Sequence, residues 1–259
     1  MMSIPLPSLE FDPHVVWRFL FNSVILEGAR TTIIVAILAQ ALGVVLGVAS
    51  ALMRMSKNPL LNIPANFYVW FFRGTPLLVQ LLFWFNGVPE LFGGNPDITR
   101  QLTPFRVAVF GLGVNEGAYM TEIVRAGIES VEAGQMDAAK SLGMTYGKAM
   151  RRIILPQALR VVLPPTGNEF ISMLKNSSLC LVISLVELLN AARSIYVTNL
   201  KVLELLAVAS IWYLVMTTVF SILQAELEAR LAVGMRERPP TLFGRMTEAF
   251  GPSRARFRD

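Results

Sequence analysis

Hydrophobic and polar positions fall in long blocks along this chain rather than alternating residue by residue. The first clean block lies between Arg30 and Arg54, where Thr31 to Met53 gives 23 uncharged residues, enough for one helix to cross roughly 30 Å of bilayer hydrocarbon. A second runs from about 63 to 88 and is interrupted by Arg73-Gly74-Thr75-Pro76, where glycine and proline break a helix. A third covers about 104–126 and carries Glu122 and Arg125 at its far end; a fourth, about 159–189, carries Glu169 and Lys175. The fifth, Leu205 to Ala225, is again uncharged over 21 residues. The pattern predicts an all-α, polytopic membrane protein with five transmembrane helices.

One polar island separates the third and fourth blocks, from Gly134 to Pro156. Within it Met136, Ala139, Leu142 and Gly143 recur three or four apart, which on a short helix makes one small apolar stripe. Such a stripe suits either an ordinary connecting helix or docking into another protein's groove. Gly143 and Pro156 are the breakers that bound it. In the first block, Gly43, Gly47 and Ala51 form a ridge of small residues that lets another helix approach closely.

Composition agrees with the blocks. Hydrophobic residues make up 54% of the 259 and charged residues only 16%, with a mean hydropathy of +0.53; soluble domains carry about 25% charged residues. The single cysteine, Cys180, excludes an internal disulfide, and the single histidine, His14, lies in the N-terminal segment, so no metal or histidine-based chemistry is expected within the spans. No secretory signal peptide is expected at the proline-interrupted N-terminus. The net charge of +5 follows from loop lysines and arginines and needs no nucleic acid. Fifteen of the 23 Lys and Arg fall on one side of the predicted spans and six on the other, with Arg73 and Lys175 inside spans. By the positive-inside rule the N-terminus is outside and the polar island and C-terminus are cytoplasmic.

The island then acquires a family likeness. Asp137-Ala138-Ala139, Gly143 and Leu155-Pro156 resemble the signature of ABC importer permeases, and further agreement points to the polar amino-acid branch of the histidine/glutamine type. That agreement includes Arg73-Gly74-Thr75-Pro76 with Gln80, Gly117-Ala118-Tyr119, Glu122 with Arg125, Leu155-Pro156-Gln157-Ala158, Asn168, Lys175-Asn176-Ser177-Ser178-Leu179 and Glu187-Leu188. The resemblance implies a type I importer domain over 23–232, an extracytoplasmic segment 1–22 and a cytoplasmic basic tail 233–259, in a bacterial inner membrane. It implies a coupling helix between the third and fourth spans, with Asp137, Ala138, Ala139, Leu142 and Gly143 meeting a cytoplasmic ATPase dimer. The other implied partners are a second permease, identical or paralogous, and an extracytoplasmic amino-acid-binding protein. Asp137 departs from the usual Glu, and Asn176 stands where many members carry Asp.

No nucleotide-binding loop is present, so energy has to come from a separate subunit, and no cofactor or catalytic constellation is expected. For the solute, Glu169, Ser172 or Met173, and Asn176 are spaced to share one helix face, with the Ser177 and Ser178 hydroxyls just beyond. Glu169 suits an ammonium, Arg73 or Lys175 a carboxylate, and Tyr119 and Met120 the walls of a pocket. With Asn176 in place of Asp, the face favours glutamine-like over cationic solutes. Glu122 and Arg125, three apart, read as an ion pair or gate. The alternative function is an ATP-independent secondary transporter or channel, against which stand the odd number of spans and the absence of a visible internal repeat.

Overall fold

The computed structural model describes residues 11–231, and every regular element among them is helical. The basic tail and the first ten residues lie outside the described residues. The chain opens with α1 (Pro13–Leu20), whose start is set by Asp12 accepting the His14 N–H at 2.9 Å and by Pro13 in the first turn, where its missing N–H is not needed. The first apolar block becomes α2 (Ser23–Arg54). After the turn at Ser56–Asn58, α3 (Pro59–Gly74) ends at the expected break, and α4 (Leu77–Leu82) starts after an extended Pro76. A π turn (Phe83–Gly87) leads into α5 (Val88–Leu91), followed by α6 (Pro96–Gln101) and α7 (Pro104–Glu129).

The polar island forms α8 (Ala133–Ser141) and α9 (Tyr146–Ala149). Gly143 closes α8 with φ +74°; its N–H bonds the Lys140 carbonyl at 2.9 Å, and Met144 N–H reaches back to Ala139 at 3.0 Å. This pair of bonds satisfies two of the helix's orphan carbonyls and needs a left-handed residue, which glycine supplies without strain.

Pro156 is not the breaker expected. A second π turn (Met150–Ile154) joins α9 to α10 (Leu155–Asn176), so the helix runs straight through the proline. A proline ring collides with the carbonyl four residues back and offers no N–H. The wide turn relieves both: Leu155 N–H bonds Met150 five residues back, one position before Pro156. The first π turn repeats the device, with Val88 N–H on Phe83 ahead of Pro89. The helical run continues through a 3₁₀ segment (Ser177–Ile183) to a left-handed Ser184 at φ 60°, then bends by 49° into α11 (Leu188–Asn199). The fourth span, expected over about 159–189, is therefore a bent pair. The chain closes with α12 (Val202–Leu231).

Among the described residues two helices, α2 and α12, are each long and apolar enough to cross a membrane, and the bent pair, taken as one span, makes a third. The chain resolves into two compact units, each built from three separated stretches, with boundaries inside α2, α3, α7, α10 and α12.

The first unit takes the stretch ending at Leu42 together with Gly74–Asn115 and Met173–Met216. Ile25, Val35, Leu112, Leu174, Leu188 and Leu205 form part of its core, each at most 1% exposed. One part of its polar interior gathers around Glu187, itself 0% exposed. That carboxylate caps α11 by accepting the Leu189 and Asn190 N–H groups at 2.9 and 2.8 Å, and it accepts the Tyr213 hydroxyl at 2.8 Å. Beside it, the Leu188 N–H donates to Thr32 Oγ1 at 3.2 Å. Elsewhere Gln80 donates to Thr75 Oγ1 at 2.8 Å and accepts from Asn115 at 3.1 Å, so the residue after the helix break is held by the span that follows it.

The second unit takes Gly43–Arg73, Glu116–Ser172 and the stretch from Thr217. Here the small-residue ridge of α2 lies directly on α7. A Cβ on Gly43 would stand 2.5 Å from Glu116 Cγ, and one on Gly47 would stand 2.3 Å from Met120 Cβ; Ala51, Met120 and Val124 pack in the same contact. The ridge of small residues thus brings the α7 backbone too close for lipid to enter between the two helices.

Candidate functional site

The second unit gathers charge around one carboxylate. Arg54 ends α2 and is fixed from behind by α3, where Asn62 and Asn66 sit one turn apart on one face. Arg54 Nε donates to Asn66 Oδ1 at 2.5 Å, Asn66 donates to the Asn62 carbonyl at 2.9 Å, and Asn62 donates to the Arg54 carbonyl. So held, Arg54 Nη1 reaches Glu122 Oε1 on α7 at 2.5 Å. Arg73, in the last turn of α3, approaches the same oxygen at 3.3 Å. Arg125, three residues along α7, donates Nε to Glu122 Oε2 at 3.0 Å and pairs through Nη1 with Glu129 at 2.6 Å.

Three guanidiniums therefore share one carboxylate, and they are not equivalent. The Arg54 side chain is 23% exposed and its contact is short, whereas Arg73 is 42% exposed and its contact long. The Arg73 guanidinium also lies 5.2 Å from the centre of the Tyr119 ring, close enough for a cation–π attraction. A second carboxylate, Glu169 on α10, lies within reach of the Arg73 charge. It is half-buried and, among the described residues, makes no hydrogen bond or ion pair. Nothing in this set is a nucleophile beside a base, and no cluster of metal-ligating residues occurs among the described residues. The arrangement can bind and exchange charged partners.

Of the residues expected at a solute site, the structure brings Arg73, Tyr119 and Glu169 together in this unit, with Ser172 half-buried one turn beyond Glu169 on α10. Met120 is not on this face: it is 1% exposed beneath Gly47, because the tight α2–α7 crossing covers it. Met173 is 3% exposed and packs in the core of the first unit. Ser177, also in the first unit, is buried and spends its hydroxyl on the Leu174 carbonyl at 2.8 Å, so it presents nothing to a solute. Asn176, the last residue of α10, is exposed, as is Lys175. Arg54 was read only as a loop charge. Its one sequence signal is the Asn62, Asn66 pair at four-residue spacing, which puts two amides on one α3 face.

The stripe on α8 also divides. Ala139 is 1% exposed and Met136 partly buried, because this face of α8 packs on α9 and the second π turn. Leu142, by contrast, is 82% exposed. The outward face carries Asp137, Ala138, Ser141 and Leu142, with Tyr146 exposed beyond the Gly143 turn.

The family model for the inner membrane component of binding-protein-dependent transport systems matches residues 43–233. The arginine transport system permease protein ArgU of Corynebacterium glutamicum is 45% identical over 224 residues, covering 83% of this chain and 71% of that protein. The glutamine transport system permease protein GlnP of Escherichia coli K12 is 32% identical over 225 residues, covering 87% of this chain and all of that one. A crystal structure of an amino acid ABC transporter with histidines matches with a TM-score of 0.76 at 39% identity, over 83% of this chain and 98% of that one. The MetNI methionine ABC transporter in an inward-facing conformation shares the fold, with a TM-score of 0.68 at 14% identity. The chain therefore belongs to the family of inner membrane components of binding-protein-dependent transport systems, the permease subunits of ABC importers.

Proposed function

We propose that this permease carries a polar amino acid inward across a bacterial inner membrane, driven by a cytoplasmic ATPase dimer. Five spans, with the N-terminus outside and the C-terminus inside, remain the topology that the charge distribution supports best. An extracytoplasmic binding protein delivers the solute, and a second permease, identical or paralogous, completes the pathway. The outward face of α8, with Asp137, Ala138 and Leu142, meets the ATPase; Ala139 and Gly143 shape that helix from behind. Closure of the ATPase dimer moves α8 and rocks the permease pair between its two access states.

Glu169 is the observation that carries the substrate class. A half-buried carboxylate with no hydrogen-bond partner among the described residues is costly at membrane depth unless a cation meets it. An ammonium or guanidinium solute supplies that cation, while Arg73, released from Glu122, takes the solute carboxylate beside the Tyr119 ring. Ser172, one turn along α10, extends the face. This favours a basic over a glutamine-like solute, the reverse of the order suggested by Asn176, and the relative at 45% identity is an arginine permease. Competition for uptake into vesicles holding the whole complex tests the assignment. Unlabelled arginine should suppress labelled uptake more than equimolar glutamine, and Glu169→Gln should cut uptake far more than assembly with the ATPase. Glutamine prevailing, or equal loss of uptake and assembly, refutes it.

A further inference from the structure

The second unit also holds a cleft of about 390 Å³ lined by none of the residues of the candidate site. One wall is the corner between α7 and α8, with Ser130, Glu132 and Gln135; the other is the first turns of α10, with Gln157 and Arg160. The two walls carry opposite charges that do not meet. Glu132 sits at the start of α8 but makes no capping hydrogen bond with its side chain. Among the described residues neither Glu132 nor Arg160 has a side-chain partner, and they form no ion pair with one another. The amide of Gln157 donates to the Ile153 carbonyl at 3.0 Å, leaving its oxygen as an acceptor, while the Ser130 hydroxyl is spent on Gly127 at 2.8 Å.

A cleft with one free carboxylate, one free guanidinium and two amides complements a zwitterion that carries a polar side chain. Arg160 offers a fork to a carboxylate, Glu132 an acceptor to an ammonium, and Gln135 and Gln157 partners for the side chain. A single nucleotide phosphate or an acidic peptide would satisfy Arg160 and leave Glu132 opposed to like charge; a cation would do the converse. We infer that this cleft binds a free α-amino acid from the cytoplasmic side. The ligand would bridge the start of α8 to the start of α10, and α8 is the element assigned above to the ATPase. Occupancy therefore ties α8 down and slows coupled transport as the imported amino acid accumulates. This last step rests on the proposed docking of α8.

The test uses the complete complex with its ATPase in vesicles, driven from the ATP side, with arginine or glutamine added to that side alone. Wild-type ATPase activity and uptake should fall several-fold with rising amino acid. In Arg160→Gln and in Glu132→Gln the half-inhibitory concentration should rise about tenfold or more, with uptake unchanged when the ATP side is free of amino acid. Arg160→Lys, which keeps the charge and loses the fork, should fall between. Inhibition absent in wild type, or identical in all variants, overturns the inference. So does a Glu132→Gln or Arg160→Gln complex that transports poorly with no amino acid present, because the cleft then belongs to the ATPase contact. A wild-type complex that neither holds an ATPase nor moves solute would refute the transport assignment instead, and titration of arginine onto Arg160→Gln against wild type would still show whether the cleft binds.

Discussion

Replacing Glu122 with glutamine tests the charge cluster most directly, because a single carboxylate receives three guanidiniums. The substitution keeps the shape and one accepting oxygen, removes the charge, and turns an N–H₂ group toward cations that have none to accept it. Hydrogen bonds to charged groups contribute about 1.5–3 kcal/mol each when desolvated, whereas exposed ion pairs contribute about 0–1 kcal/mol. Arg54, 23% exposed and at 2.5 Å, belongs near the first class; Arg73, 42% exposed and at 3.3 Å, belongs in the second. Arg125 adds the few tenths of a kcal/mol typical of a pair on adjacent helix turns. The expected loss is about 2–3 kcal/mol, a factor of roughly 30 to 150 in the folded ratio. Titrating the purified complex with denaturing detergent, with Arg54→Met and Arg73→Met as partners in two double-mutant cycles, measures each coupling separately. The Arg54 coupling should exceed the Arg73 coupling by more than 1 kcal/mol, and Arg73→Met should impair uptake while barely moving the unfolding midpoint. Equal couplings, or an unchanged Glu122→Gln complex, would show that the cluster neither holds the unit together nor leaves Arg73 free for exchange.

Further outcomes follow from other contacts. Gly47→Val places carbon 2.3 Å from Met120 Cβ and 2.9 Å from the Met120 carbonyl carbon, atoms that shortening Met120 to alanine would leave in place, and should cost about 1–3 kcal/mol by overpacking, read as a detergent unfolding midpoint. Gly143→Val meets nothing within 4 Å, so its harm, about 1–2 kcal/mol, comes from forcing a β-branched residue into a left-handed backbone. Gly143→Asn should recover most of it, with hydrogen exchange of the Met144 amide as the readout. Glu187→Ala leaves two capped N–H groups and the Tyr213 hydroxyl without their acceptor and should cost about 3 kcal/mol, against about 1 kcal/mol for Tyr213→Phe; thermal unfolding of the complex distinguishes the two.

What the sequence disclosed depended on whether a feature was local. The break at Arg73–Pro76 and the end of α8 at Gly143 were legible because glycine and proline punctuate helices locally. The Gly43–Gly47 ridge was legible as packing, though not as packing against Met120, which is why Met120 was expected to line a pocket. Pro156 misled for the opposite reason: a proline removes one N–H and one conformation, but a π turn placed just ahead of it supplies another route, and nothing in Met150–Ile154 announces that turn. Glu187 is an uncommon cap, since Ser, Thr, Asp and Asn lead at that position, and only its burial beside Tyr213 reveals why a longer carboxylate suits it. Arg54 and Glu122 are 68 residues apart, and counting Arg54 among the loop charges hid its partner. In a membrane chain each charge is read twice, once as an orientation signal and once as a contact. The charges that serve both purposes, Arg54 and Arg125 here, are those whose second role only the folded unit discloses.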